Sequence, residues 1–500
     1  QKKFDTIDVA SLISQATTSA FPLPALTFAL STHLSPRTIQ FQQSCGNHIQ
    51  VHKSIIAGCK FSVALTRALL LDSVTQFVTT HPSVSVATYV DDIPITITGA
   101  KAEVRRGLVE AIISFANLSK RLKLVISPKS AVVTSHPTIT NAILRDVRAH
   151  GITFTSSTST RDLGIPYRAG IPTFKKSQPQ PKSRIVKTRG RALKVSRLAK
   201  VSRKARVLYS GSVHAAATWG HQVQSYLVTQ LMELEVRAAK ATGNTVRGRC
   251  RYFALVCAYG QRGHPIARLI REIFTSWFAI LPHIIRLDKY LDLQKAWLDI
   301  KRTVWSQPRP MEVQYHGLIH NVLQWLYFLN WQPVTPKLWL EPIGSATRKW
   351  EVAKAGGKAT VIIYALIDSY NSLRHASVST WRNGLGIELG VHYPSTLSVI
   401  RSPKVRKNPP LLAAVETVLS AGLWPATRIH QEVDTRYPPI CPRCNQADED
   451  ELHCYYTCCA NAAIEDPRVS KTQHLVQQAV QFATSRPCLL YTSPSPRDRG

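Results

Sequence analysis

Residues 83–98 bring two runs of alternating apolar residues to a pair of adjacent carboxylates, and no other stretch restricts the fold as much. Val84, Val86, Thr88 and Val90 share one register, and Ile93, Ile95 and Ile97 share another. Asp91 and Asp92 lie between them. Acidic side chains form strands poorly, and neighbouring ones repel unless something neutralises them. A hairpin with this pair at its bend is a seat for a hard divalent cation such as Mg²⁺, which takes oxygen ligands and keeps positions open for phosphates. An ordinary solvated Asp-Asp turn needs no ion. Tyr89-Val90-Asp91-Asp92 between two apolar strands is more specific, and its meaning depends on the rest of the chain.

Charge supplies the first context. The 500 residues hold 63 basic and 30 acidic side chains, a net charge of +33. A protein this basic faces a polyanion, and nucleic acid is the first candidate. No apolar run reads as long enough to span a bilayer, and no signal peptide opens the chain. Five of ten cysteines crowd into residues 441–459, and the spacing of the others does not suggest disulfides. That pattern predicts a reducing compartment, nuclear or cytoplasmic, and one local metal site.

The order of elements predicts an α+β fold. Residues 4–8 open a helical segment with Ala10, Leu12, Ile13 and Ala16 as apolar positions, and a second helix covers residues 23–30. Residues 38–42 and 48–52 alternate about Gly46-Asn47, predicting a hairpin with its turn there. A helix over 62–79 leads to the Asp91-Asp92 hairpin, and another covers 103–122. Residues 124–133 read as a strand broken at Pro128, and 161–167 as a short strand with a tight turn.

In that order the motifs resemble the palm of a reverse transcriptase, most similar to those of non-LTR (LINE-type) retrotransposons. Lys3-Phe4-Asp5-Thr6-Ile7-Asp8 resembles the end of the family's first catalytic motif, and residues 54–62 the template- and nucleotide-contacting motif. Tyr89-Val90-Asp91-Asp92 resembles the catalytic hairpin, residues 124–133 with Lys129 the motif after it, and Leu163-Gly164-Ile165 the primer-grip strand. The resemblance implies an RNA-directed DNA polymerase acting on an RNA template, a DNA primer or target and deoxynucleoside triphosphates. It implies two Mg²⁺ ions held by Asp91 and a first-motif aspartate, with Asp92 in support. That aspartate would fall just ahead of Gln1, so the fragment itself is expected to be inactive. Phe4 would exclude a 2′-hydroxyl, Gly58 and Tyr89 would approach the substrate, and Lys129 would protonate pyrophosphate. The family's glutamine before Gly58 is replaced by Ala57. An RNA-dependent RNA polymerase or intron maturase is the nearest rival, and a non-catalytic nucleic-acid-binding remnant is another.

Residues 1–168 are thus read as a palm with partial fingers, 169–184 as a linker, 185–330 as a basic helical region like a thumb, and 331–435 as a helical C-terminal region. No acidic residue occurs from Leu163 to Met232. Lys187, Arg191, Lys194, Arg197, Lys200 and Lys204 recur at helical spacing, and Leu198, Val201, Ala205 and Leu208 are the expected packing seam. Such a face would grip phosphates without choosing sequence. Pro282 is expected to stop or kink a helix over 266–281. Residues 331–339 read as a boundary, and 361–368 resemble a strand.

Residues 436–465 carry Cys441-x₂-Cys444-x₈-His453-x₄-Cys458, a spacing suited to a closed structural Zn²⁺ site, with Cys454 and Cys459 as alternative ligands. It resembles the CCHC knuckle of the same polymerases. Residues 488–500 look like translated sequencing adapter and carry no fold expectation.

Overall fold

The computed structural model describes residues 7–481 except 52, 57–58, 91, 158, 163–164, 169–178, 245, 353–357, 381–390, 471–473, 475 and 479. Phe4, Gly58 and Asp91 therefore lie outside the described residues, as do Leu163, Gly164 and the adapter-like end. The fold is mixed α+β, mostly helical with small sheets. It divides into two compact units, Gln1–Thr173 and Phe174–Gly500.

In the first unit, Asp8 caps helix α1 (Val9–Thr18) by accepting the Ser11 amide at 2.9 Å. Helix α2 spans Leu23–Leu34. A small hairpin then pairs β1 (Gln40–Phe41) with β2 (Ser44–Cys45). Its turn falls at Gln42-Gln43, with Gln42 at φ 54°, and not at the expected Gly46-Asn47. Strand pairing set the register here over the preference of glycine for turns. Helix α3 (Lys60–Thr80) is followed by β3 (Val84–Val86) and β4 (Ile95–Ile97), and α4 covers Lys101–Arg121. The expected strand over 124–133 is reduced to β5 (Ala131–Val132), because residues 127–130 form a turn closed by the Ser130 amide on the Ser127 carbonyl. Helix α5 (Pro137–Arg148), which the sequence reading missed, carries the chain to β6 (Thr155–Ser156), parallel to β5. The hairpin of β7 (Ser159–Asp162) and β8 (Ile165–Arg168) closes the unit.

Three apolar clusters hold this unit together. Ile7, Leu12 and Ala16 meet Leu65 and Leu69 of α3 and Leu118 of α4. Val84 packs with Phe77 of α3 and Ala111 of α4. Ile143 and Val147 of α5 meet Leu108 and Ile112 of α4. The β3–β4 hairpin thus lays one face on α3 and α4. By length and composition α3 is apolar enough to cross a membrane, contrary to the expectation that no such run exists. In this fold its Leu65, Ala68 and Leu69 are core residues.

The second unit opens with α6 (Pro179–Lys187), so the expected linker is helical from Pro179 onward. Helix α7 (Arg189–Val201) follows, then a 3₁₀ turn at Arg203–Ala205, a π-helical stretch at Tyr209–His214 and a short helix at Ala215–Thr218. Helices α8 (Val228–Lys240), α9 (Arg251–Tyr259), α10 (Pro265–Arg286), α11 (Tyr290–Trp305) and α12 (Leu318–Phe328) lead to a meander of β9 (Gln332–Thr335), β10 (Leu338–Ile343) and β11 (Ala346–Glu351), with β10 central. Helices α13 (Ala359–Ser379), α14 (Tyr393–Arg401), α15 (Pro409–Leu419) and α16 (Ala426–Glu432) complete the helical part.

Helix α10 runs through the main core. Ile270, Ile273, Phe274, Trp277 and Leu281 meet Trp297, Leu323, Leu326, Trp339, Leu366 and Ile367. Pro282 lies inside α10 and does not end it. The ring removes one hydrogen bond, and burial of the preceding turns outweighs that loss. The expected boundary at 331–339 falls inside this core, which includes Leu326, Leu329, Trp331 and Trp339. The strand-like run 361–368 is helical, with Ile362, Ile363, Leu366, Ile367 and Tyr370 buried at helical spacing.

The packing seam of the basic helices also differs from expectation. Of the expected seam only Ala205 is buried; Leu198, Val201 and Leu208 are exposed, Val201 by 89%. The buried line is Ile185, Ala192, Val195 and Ala199. Small side chains let α7 lie close to α8, where Ser196 donates to the Lys240 carbonyl at 2.9 Å.

Candidate metal centre, hairpin tip and basic face

Residues 437–464 bury little apolar surface, and Tyr437, Ile440, Tyr455 and Ile464 are all exposed. Their order rests on polar contacts around four donors. Pro439 accepts the Glu449 amide and Ala447 the Cys441 amide, each at 2.8 Å, giving a small hairpin. Asn445, at φ 53°, turns the chain after Cys444 and donates its amide to the Cys441 carbonyl. Both thiols are thereby aimed to one side. A π-helical turn, His453–Thr457, brings His453 and Cys458 to the same point.

The four donor atoms of Cys441, Cys444, His453 and Cys458 lie within 4.8 Å of one another. Cys441 Sγ is 3.9 Å from Cys458 Sγ, and Cys444 Sγ is 3.3 Å from His453 Nε2. Ordinary zinc bond lengths at tetrahedral angles space donors roughly 3.5–3.8 Å apart. The cluster could therefore bind a metal such as zinc, and the choice left open by the sequence falls on Cys458. Cys459 is exposed and touches Gln446, and Cys454 stands apart from the four. Burial opposes charge on Cys441, yet the Cys444 and Arg443 amides and His453 outweigh it and hold the thiol below its usual range. Cys444 is lowered first by the Gln446 amide, whereas burial raises Cys458.

Glu449 was not singled out from the sequence. One carboxylate oxygen lies 3.8 Å from Cys441 Sγ, and the other accepts the Ala426 amide at 2.9 Å, at the start of α16. Helix α16 in turn sends Arg428 to the Gly248 carbonyl, with the guanidinium 4.0 Å over the Trp424 ring. The metal cluster is thus tied to the loop carrying exposed Arg247. Outer contacts of this kind tune metal affinity. Glu449→Gln is expected to weaken zinc binding roughly 10-fold or more, measured by competition with a chromophoric chelator.

The hairpin tip keeps one register throughout. Val84 faces Ile97, Ser85 faces Thr96 and Val86 faces Ile95. Tyr89 and Asp92 exchange two backbone hydrogen bonds of 2.9 Å. Pro94 accepts from Ala87 at 3.2 Å but has no N–H to return, which cuts the regular strands short. The chain reverses between Tyr89 and Asp92, and Val90 sits at φ 55°. A β-branched side chain is strained there. Asp92 and Tyr89 are exposed on the hairpin, and Lys129 is exposed on the turn at residues 127–130. Asp8 caps α1 and receives Lys123 Nζ at 3.2 Å. The Ser11 amide and hydroxyl, then Lys123, hold its carboxyl at about 2.

Lys187, Arg191, Lys194, Arg197, Lys200 and Lys204 are all exposed. Nearby Arg189 pairs with Glu233, and Arg203 and Arg206 both meet Glu416. These two carboxylates are taken up by Arg189, Arg203 and Arg206, and the six cations of the expected face stay exposed. Comparison with protein-family models, curated proteins and solved structures returned no match.

Proposed function

We propose that this chain belongs to an RNA-directed DNA polymerase of the non-LTR retrotransposon kind, with the first unit as its palm. The observation that carries this reading is the hairpin tip. A β-branched residue is held in a strained turn beside two successive carboxylates, while the other face of the hairpin lies on α3 and α4. Strain kept at a charged tip favours a working site over a solvated turn. The exposed basic face and the cysteine–histidine cluster, read as a structural zinc site, suit the same role.

In this reading Asp91, with Asp92 in support, would hold the Mg²⁺ ions that bring the deoxynucleotide to the primer terminus. When bound there, two Mg²⁺ ions would stabilise the attacking and leaving oxygens. Phe4 selects deoxyribose, Gly58 lets the backbone approach the nucleotide, Tyr89 lines the site and Lys129 donates a proton to departing pyrophosphate. The basic residues of α6 and α7 hold the template–primer through its phosphates.

Primer extension on an RNA template by the complete reading frame tests this. Deoxynucleotides should be incorporated in Mg²⁺, and Asp91→Ala should abolish extension. Preference for ribonucleotides, or an unchanged rate in the variant, would sink the proposal. Tight nucleic-acid binding without extension would leave the non-catalytic remnant as the reading.

A further inference from the structure

Trp219 is the only exposed tryptophan among the described residues, at 53%. The fold holds it outward. Thr218 to His221 form a tight turn, closed by the His221 amide on the Thr218 carbonyl at 3.0 Å. Trp219 has φ −52° and ψ 127°, and Gly220 follows at φ 74°. These are the angles of a type II turn, which needs glycine at its third position. The residue at the second position projects from the corner. Arg184 donates to the Trp219 carbonyl and so fixes the corner against α6.

The surroundings are mostly cationic; Glu272 meets His221 of the turn at 3.3 Å, with Arg268 and Arg271 beside that carboxylate. The chain from Leu163 to Met232 holds no acidic residue. Lys187 is exposed one turn beyond Arg184 on α6. Arg191, exposed at the start of α7, reaches back to the Ser212 carbonyl at 3.4 Å, in the segment that leads to the turn. An exposed indole on a corner held by Arg184, in a basic stretch of chain, matches a nucleic acid with unstacked bases, since every base offers a π-face and every linkage a phosphate. A fully paired duplex offers the phosphates alone.

We propose that Trp219 is a stacking platform for a base of single-stranded nucleic acid whose phosphates lie along Lys187 and Arg191. This rests on the nucleic-acid-binding reading above and adds an aromatic contact and a preference for single strands.

The test is equilibrium binding of an end-labelled oligodeoxythymidylate of about 16 nucleotides, and of a blunt duplex, at several salt concentrations. Trp219→Ala should weaken single-strand binding roughly 5- to 150-fold, the range of base–aromatic stacking. It should leave the duplex affinity and the salt slope almost unchanged. Trp219→Phe should restore most of the loss, and unaltered thermal unfolding of both variants shows that the turn survives. Lys187→Ala should instead lower the salt slope. If the parent binds both probes tightly and Trp219→Ala binds the single strand equally well, the platform is wrong and the nucleic-acid reading stands. If the parent binds neither probe at physiological salt, both fall. Binding that depends on Trp219 for anionic phospholipid vesicles but not for the oligonucleotide would overturn the proposal in favour of a membrane surface.

Discussion

Acidification from pH 7 to pH 4 is expected to unfold the second unit. Four of its histidines are buried and neutral. His214 is 1% exposed and His221 2%, His264 is fully buried, and His375 is 4% exposed. Burial, the largest cause in each case, pushes His214 down to about 3 and the other three to about 4. His221 touches Glu272 at 3.3 Å and still stays low, because burial outweighs that contact and raises the Glu272 carboxyl as well. His264 and His375 belong to a buried hydrogen-bond network. Tyr252 donates to Asn371 at 2.9 Å, and the Tyr393 hydroxyl meets His375 Nε2 at 2.6 Å.

The folded values lie below the unfolded value, so the unfolded chain takes up protons first. Stability is full above about pH 6.5 and is lost as pH falls toward 4. Keeping each of these histidines neutral in the fold is worth roughly 3 kcal/mol above its unfolded titration range. Four such groups give on the order of 10 kcal/mol, comparable to the whole stability of a typical domain. Denaturant unfolding at pH 7, 5.5 and 4.5, followed by tryptophan fluorescence, measures it. His264→Asn and His375→Asn should flatten the curve. Equal stability at pH 7 and 4.5 would contradict the buried neutral histidines.

The second large effect is expected on metal removal. Residues 437–464 have no apolar core of their own, so their order depends on the four donors. Structural zinc contributes about 10–16 kcal/mol to small sites at neutral pH. A chelator, or Cys441→Ser, should open this segment to proteolysis and free Glu449 from the start of α16. Zinc content by atomic emission should fall from one equivalent to none in Cys441→Ser, Cys444→Ser and Cys458→Ser. It should stay at one in Cys454→Ser and Cys459→Ser. Loss of metal in Cys459→Ser with retention in Cys458→Ser would reverse the ligand assignment.

Much of this was legible because it is local. The α1, α3 and α4 helices follow from apolar spacing, and a hairpin of β3 with β4 from two alternating runs, although Asp92 pairs with Tyr89 and the register therefore differs from one centred on Asp91-Asp92. Cys441-x₂-Cys444 announced a donor pair because close spacing leaves few other arrangements. Other features lay in the sequence and were misread. Ile362, Ile363, Leu366 and Ile367 have helical spacing, although the three isoleucines are β-branched. In α7 the small residues Ala192, Val195 and Ala199 face inward, whereas the expected seam took in Leu198 and Val201.

The charge, the cysteine–histidine spacing, a hairpin near Asp91-Asp92 and the positions of α1 to α4 and α10 follow from local sequence. Each depends on neighbours within a few turns of chain. Only the tertiary structure decided that Cys458 and not Cys459 joins the donors, that Glu449 bridges Cys441 and α16, and that Trp219 stands exposed beside α6. It also decided that Pro282 sits within a continuous helix. These outcomes depend on contacts between residues far apart in sequence, where burial and packing overrule local preference.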